Sequence, residues 1–408
     1  MTSRAVVLIA LVLSAVAAFA QQEEAAVGIT FSGFVKTDVF YDSRQTVAAR
    51  EGHFALYPSP AVNDTFGNDI NKKANFNILS IQTRLLGKIT GPDAFGAKTS
   101  GLVEAEFFGT SDADVSGFRL RHAYLKMDWA TSSLLIGQFW HPMFVAEMYP
   151  GVVSFNTGAP FQPFSRNPQI RFSYNITSVK VIVAAMSQRD FQSNGPAGLS
   201  SSYLRNAVVP NLHAQLQYAH EGTVLGCGVD WKMLTPRLVT TRNVATDETI
   251  SSTSVLGYAK FTLDPVTVKA EGTYGENVSD LFMLGGYALR SVDTGTGVER
   301  YSALKNVSVW GELSTGKEVE FALFAGYAKN LGADDNIVGA AYGRGTDIDY
   351  LFRVSPRVVW TTGKVRFATE YEYTSAAYGT PNRLNKGKVE SEKAVANNRL
   401  LVAAYYFF

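Results

Sequence analysis

The sequence has one cysteine and no excess of charge of either sign. Cys227 stands alone among 408 residues, so an intrachain disulfide is impossible. The 37 Lys and Arg side chains balance 36 Asp and Glu side chains, which gives a net charge of +1. We therefore expect no nucleic-acid partner and no electrostatic binding to an anionic membrane surface.

Long apolar runs and enzyme motifs are also missing. After residue 20, no run of about 18 apolar residues could form a transmembrane helix. The chain contains neither a Gly-x-Ser-x-Gly elbow nor a His-Glu-x-x-His zinc motif, and its five histidines are scattered. We therefore predict no enzyme activity, no metal site and no cofactor. A hydrolase within the fold is the least favoured alternative.

The first 20 residues have the pattern of a secretion signal. Arg4 supplies the positive start, residues 5–17 are apolar, and Ala18-Phe19-Ala20 provides the small residues of a cleavage site. The alternative is a membrane-anchoring helix, for which the apolar run is short. We predict a signal peptide at 1–20 and one domain at 21–408, because no linker or change of composition divides the rest.

Over most of the chain, apolar and polar residues alternate with a period of two, which is typical of β-strands with two different faces. In the terminal segment, Leu400, Val402 and Tyr406 share a face with Phe408, the last residue. We predict about 16 such strands, many of them near the ~10 residues with which a tilted strand crosses a bilayer. They are 29–41, 76–89, 101–109, 118–129, 134–140, 169–175, 179–188, 211–219, 224–233, 254–263, 266–275, 306–314, 318–329, 350–361, 365–375 and 398–408.

Short and long connections alternate between these strands. The short ones are 90–98, 130–133, 176–178, 221–223, 264–265, 315–317 and 362–364. Outer-membrane barrels have short turns on one side and long loops on the other. Closure also removes the edge that an apolar terminal strand would otherwise expose. We therefore predict an all-β protein, a transmembrane antiparallel β-barrel of about 16 strands. A soluble β-sandwich is the alternative.

The polar faces of the predicted strands carry many charged side chains. Each would cost about 2–4 kcal/mol on the lipid side at the middle of the membrane, so we expect them inside the barrel. A barrel of about 16 strands is too wide for side chains to fill and leaves an aqueous channel. The sequence therefore predicts a porin for passive diffusion of small hydrophilic solutes across the outer membrane. A ligand-binding or adhesin-type barrel is the alternative.

The connection at 141–167 differs from the other long loops, because it contains four prolines and five Phe or Tyr residues. A loop of this length without regular structure is usually functional or disordered, and its aromatic content argues against disorder. We expect this third long loop to fold into the lumen and to bring Glu147 and Arg166 to the pore wall. Packing over the barrel mouth or at a subunit contact is the alternative.

Six segments together resemble the DcaP-like porins of the bacterial outer membrane. They are GFVKTDVFYD (33–42), QTRL (82–85), VEAEFFG (103–109), RLRHAYL (119–125), IGQFW (136–140) and RNPQIRFSY (166–174). The resemblance implies a homotrimer in contact with outer-membrane lipid, with lumen arginines that favour small anions such as carboxylates. The terminal strand resembles the signal that outer-membrane barrels present to the barrel-assembly machinery, which implies this machinery as a partner through Phe408.

Candidate pore-lining residues follow from these arguments. The resemblance implies lumen roles for Arg84, Arg119, Arg121, Gln138 and Arg171. The polar faces add Arg353 and Arg357, and the inward loop adds Glu147 and Arg166. Simple alternation would place Arg119 and Arg121 on one face with Leu125, so we expect a β-bulge within 118–129.

Overall fold

The structure is a computed structural model that describes residues 27–408, and the predicted signal peptide at 1–20 lies outside them. Within this range the chain is mostly antiparallel strand, with one short α-helix, α1, at Ser202–Asn206. No helix of the described part is long and apolar enough to cross a membrane. The strands are β1 Gly28–Asp42, β2 Thr46–Ala49, β3 Phe54–Pro58, β4 Asn75–Leu79, β5 Arg84–Thr90, β6 Lys98–Glu106, β7 Arg119–Asp128, β8 Ser132–Trp140, β9 Arg166–Ile176, β10 Val179–Met186, β11 Asn194–Gly195, β12 Gly198–Leu199, β13 Asn211–His220, β14 Thr223–Leu234, β15 Ile250–Leu263, β16 Val266–Glu276, β17 Gly285–Val292, β18 Glu299–Thr315, β19 Val319–Gly332, β20 Ala341–Arg344, β21 Ile348–Thr362, β22 Val365–Asn382 and β23 Lys388–Phe407.

The strands pair in sequence order around a closed barrel. β4 and β5 both pair with β1 and form one strand that is interrupted at residues 80–83. β23 pairs with the other side of β1, where Phe407 lies opposite Phe34 and Arg399 opposite Asp42. β17 and β20 only extend the sheet on the long-loop side, so sixteen strands form the wall. The predicted barrel is thus confirmed, although some strands are longer than predicted: β23 begins at Lys388.

The two faces of the wall meet different environments, as β23 shows. Leu400 and Val402 point outward and are 50% and 43% exposed, whereas Arg399 and Leu401 point inward and are 1% and 2% exposed. The other wall strands repeat this division, with aliphatic and aromatic side chains outside and most charges inside. Because a charge at the middle of a lipid-facing wall costs about 2–4 kcal/mol, this arrangement suits a bilayer.

A β-bulge in β7 resolves the irregular alternation of 118–129. The pairing with β6 shifts between Glu104, which lies opposite His122, and Ala105, which lies opposite Leu120. Arg121 is the extra residue, and both it and His122 are buried inside. The bulge therefore turns Arg121 inward on the long-loop side while Leu125 still faces outward.

Three long connections fold into the barrel. Residues 43–74 carry the β2–β3 hairpin, and β3 is buried along its whole length. Residues 141–165 and 277–284 pack against it, and Phe155 of the former stacks on Phe108 at 4.0 Å between ring centroids. The inward fold of the third long loop is thus confirmed. The inward hairpin was not predicted, although the apolar run at 54–57 was a signal for it.

The closure of β1 on β23 can be tested by cross-linking. Thr37 and Ala404 are paired and both face outward, so we expect T37C/A404C, in a C227S background, to form an intrachain disulfide on oxidation. The link should change the mobility of the unfolded, unreduced chain on a gel. T37C/A403C is the matched control, because Ala403 faces inward; an equal yield from both pairs would contradict the register.

Candidate functional site

Cationic side chains of the wall bind the backbone of the inward loop 141–165. Lys269 Nζ donates to the carbonyl oxygen of Tyr149 at 3.0 Å. Lys36 Nζ donates to that of Val153 at 2.8 Å. A loop without regular structure has carbonyl groups that need partners, and hydrogen bonds from charged donors are stronger than neutral ones. These lysines therefore anchor the loop to opposite parts of the wall.

Wall carboxylates bind the N–H groups of the same loop. Glu312 Oε2 accepts from the N–H of Gly151 at 2.7 Å, and Glu372 Oε1 accepts from the side-chain amide of Asn156 at 2.9 Å. Glu370 accepts further backbone N–H groups between them. Between residues 149 and 156, donors and acceptors of the loop thus find charged partners on several wall strands.

Two of the predicted pore-lining arginines take part in this anchoring. Arg353 is 1% exposed, and its guanidinium donates to the carbonyl oxygens of Ala159 at 2.9 Å and Leu56 at 2.6 Å. It therefore binds both the inward loop and the β2–β3 hairpin. Arg357 is paired with the loop-binding Glu312, at 2.7 Å. The structure places both side chains inside the barrel, where they hold loops.

Four other predicted arginines meet around one carboxylate. Glu106, at the end of β6, is fully buried, and its oxygens lie 3.1 Å from Arg84, 2.8 Å from Arg119 and 2.7 Å from Arg121. Arg166, at the start of β9, is 3.8 Å away. Alternation in the VEAEFFG segment predicted that Glu106 faces inward, but Glu106 was not among the predicted pore-lining residues.

Asp190 is another carboxylate of this cluster, and it was not predicted from the sequence. It lies in the connection 187–210, outside any strand, and contacts Arg119 and Arg166. No alternation or motif marks an acidic residue in such a loop, so the sequence offered no signal for it. The cluster on the long-loop side of the lumen is therefore largely neutralised by its own acids.

A cavity of about 390 Å³ lies between the loop 141–165 and the wall strands β7 to β10 and β13, toward the short-turn side. It has basic, acidic and aromatic lining. Its lining includes Tyr124, Lys126, Asp128, Phe139, Phe144, Glu147, Arg171, Ser173, Lys180 and Gln215. Such a mixture suits a polar solute that carries charge.

Arg171 is the distinctive residue of this cavity. Its Nε donates to Gln169 Oε1 at 2.8 Å, and another nitrogen donates to the carbonyl oxygen of Trp140. Lys180 pairs with Glu147 at 3.4 Å, whereas Arg171 forms no salt bridge with any residue between 27 and 408. Its charge therefore remains available to a solute.

Gln138 has a different position from the other candidates. Its Nε2 donates to the carbonyl oxygen of Arg121 at 2.9 Å, next to the bulge in β7. It does not belong to the cavity lining. The structure therefore brings Glu147 and Arg171 together in the cavity, and it places Gln138 against the backbone that carries the arginine cluster.

His53 docks the β2–β3 hairpin without adding a charge. Its Nε2 lies 2.7 Å from Oδ2 of Asp38 on β1, and its ring packs against Phe155. Burial lowers the pKa of the imidazole, so His53 is neutral near pH 7.

Across residues 27–408, no group of three or more His, Cys, Asp or Glu side chains is arranged to hold a metal ion.

No family model and no curated protein matches this chain. Among solved structures, it is similar to the outer-membrane channel DcaP of Acinetobacter baumannii, with a TM-score of 0.70 and 18% identity over 94% of this chain and 98% of that chain. The chain has the fold of this outer-membrane channel. The resemblance seen in the six sequence segments is thus confirmed at the level of the fold.

Two further structures share the barrel at lower similarity. The trimer form of the outer-membrane protein OmpT of Vibrio cholerae aligns with a TM-score of 0.57 and 11% identity, over 94% of this chain and 100% of that chain. OmpF of Salmonella typhi, solved in complex with daunomycin, aligns with a TM-score of 0.54 and 11% identity, over 93% of this chain and 97% of that chain.

The anchoring role of Arg353 can be tested with R353M. Removing one member of a buried charged network costs about 3–5 kcal/mol, so we expect the inward loop 141–165 to loosen. Chymotrypsin should then cleave at its aromatic residues faster than in the wild-type protein. R366M is the control, because Arg366 donates to Thr361 on the neighbouring strand. Equal cleavage of R353M and R366M would show that Arg353 does not hold the loop.

Proposed function

We propose that the protein is a channel of the bacterial outer membrane that lets small hydrophilic solutes diffuse passively, with a preference for anions such as carboxylates. The observation that carries this proposal is a closed wall, apolar outside and charged inside, around a cavity in which Arg171 has no acidic partner. The channel named among the similar structures supports the same conclusion. We propose no enzyme activity.

The outer face supports insertion into a membrane. Aliphatic and aromatic side chains cover it, and the ladder between β1 and β23 leaves no open edge. In lipid, backbone polar groups have no water to bind, so only a closed barrel or a helix crosses a bilayer. Short turns would face the periplasm and long loops the outside.

The charges of the cavity support a preference for anions. Lys126 and Lys180 pair with Asp128 and Glu147, at 2.8 and 3.4 Å. Arg171 then leaves one positive charge without a partner. A ring or patch of one sign at a narrow point is how channels favour ions of the other sign. We infer that the loop 141–165 narrows the lumen here, which is supported by its position along one side of the cavity.

The assembly of the channel is part of the proposal. We infer a homotrimer, because a trimer form is known for the similar OmpT of Vibrio cholerae. We also infer that the strand ending at Phe408 is presented to the barrel-assembly machinery. Its outward Tyr406 and Phe408 are 54% and 46% exposed, so an aromatic surface is available at the end of β23.

Conductance of the purified protein in planar lipid bilayers tests the function. We expect stepwise ion currents, and reversal potentials in a KCl gradient that indicate anion preference. A protein without conducting steps would reject the channel, and cation preference of the wild-type protein would reject the anion preference.

Charge reversal at Arg171 tests the cavity. R171E changes the local charge by two units, which at about 8 Å in water disfavours an anion by about 1 kcal/mol and favours a cation by about as much, or about thirtyfold in the ratio of anion to cation permeability. We expect that ratio to fall. R290E is the matched control, since Arg290 lies on β17 and pairs with Asp335 outside the cavity. If R171E and R290E shift the ratio equally, Arg171 does not select ions.

A further inference from the structure

Asp190 brings a carboxylate from a loop into the arginine cluster. Its Oδ1 lies 3.3 Å from Nη1 of Arg119, and its Oδ2 lies 2.7 Å from Nε of Arg166. The side chain of Asp190 is 4% exposed. Charge-assisted hydrogen bonds from guanidinium groups are also the contacts with which proteins bind carboxylate ligands.

Arg166 has N–H groups that are available to hydrogen-bond a ligand at this position. Its side chain is fully buried, and neither Nη1 nor Nη2 donates a hydrogen bond to a residue of the described chain. The guanidinium stacks on Trp140 and Phe164, at 5.1 and 5.7 Å from the ring centroids. Because these rings orient it, Arg166 would keep its place if the carboxylate of Asp190 left.

Asp190 also determines the charge of the cluster. Four arginines face three carboxylates, which leaves one positive charge; without Asp190, two would remain. The members are Arg84, Arg119, Arg121, Arg166, Glu104, Glu106 and Asp190. Removing this single carboxylate would therefore double the net charge at this point of the lumen.

The other members of the cluster are fixed by the wall. Glu104 and Glu106 belong to β6, Arg119 and Arg121 to β7, and their backbones are held by the ladder between these strands. Asp190 has no such ladder. Moving the backbone of Asp190 requires only a change in a loop, whereas moving that of Glu104, Glu106 or Arg119 would disturb the ladder.

Neighbouring residues hold Asp190 in the lumen. Gln188 Nε2 donates to Oδ2 of Asp280 at 2.8 Å, and the ring of Phe191 lies 4.0 Å from that of Phe282. Both contacts join the connection 187–210 to the inward segment 277–284. Further contacts hold the same segment: the N–H of Ser187 donates to the carbonyl oxygen of Pro168 at 2.9 Å, and Phe191 also packs against Phe164. The position of the loop carboxylate thus depends on polar and aromatic contacts and on no strand ladder.

We propose that Arg119 and Arg166 form a carboxylate-binding site that the chain fills with its own Asp190, so that the loop 187–210 competes with permeating carboxylates. This inference rests on the proposed channel function. A small carboxylate that displaces Asp190 gains both guanidinium groups and the free donors of Arg166. Asp190 thereby sets how strongly the channel prefers anions and how long a carboxylate stays bound.

The substitution D190N tests this proposal, because the amide keeps the size of the side chain and removes its charge. In planar bilayers, we expect the ratio of anion to cation permeability to rise about fivefold, since the loss of one negative charge favours anions and disfavours cations. Acetate at a concentration that leaves the wild-type KCl current unchanged should reduce the current of D190N, since acetate then occupies the vacated site. D335N is the matched control, because Asp335 is an exposed loop acid outside the cluster.

A second measurement uses the wild-type protein and needs no variant to fold. Acetate that displaces Asp190 should free the loop, so chymotrypsin should cleave after Phe191 faster in acetate than in chloride at equal ionic strength. Equal cleavage in both salts, or equal permeability and acetate response of D190N and the wild type, overturns the proposal. If the wild-type protein shows no conducting steps, the channel function is rejected instead. The cleavage assay does not depend on conduction, so it tests the role of Asp190 separately.

Discussion

The hydrogen-bonded ladder between β1 and β23 is the constraint on which the rest of the structure depends. It pairs Phe34 with Phe407 and Asp42 with Arg399, so no strand edge remains open. In lipid an unpaired edge would leave backbone groups without partners, at several kcal/mol each. Closure fixes which face of every strand is outside, and with it the location of each charge.

Closure of the barrel also leaves a wide lumen, which other parts of the chain partly fill. Sixteen strands enclose a space too wide for wall side chains to fill, and three long connections enter it. These connections bring apolar rings that pack on one another and backbone groups that need partners. The charged wall supplies those partners, as Lys36, Glu312 and Arg353 show. Alternation predicts which charged side chains face inward. Some of these side chains hold the loops, and only the others line the remaining cavity, where they can meet a solute.

In the candidate site, the sequence predicted which side chains face inward but not which partners they contact. The inward facing of Arg171 and Arg353 followed from a period of two, because that period depends only on the strand itself. Their different environments did not follow, since Arg353 meets loop carbonyl groups from residues far away in the chain and Arg171 does not. Asp190 had no periodicity at all, so only the docking of its loop brought it to the arginines.

The sequence by itself determined the closed barrel, its sixteen strands, the grouping of the short turns at one end and the bulge near Arg121, because each depends on local alternation or on turn length. Only the tertiary structure decided the inward hairpin at β2–β3 and the pairing of charges in the lumen. These contacts join different strands and loops, and some span most of the chain, as when Arg353 binds the carbonyl oxygen of Leu56, 297 positions away. No local pattern encodes which loop carbonyl or carboxylate a given arginine will meet.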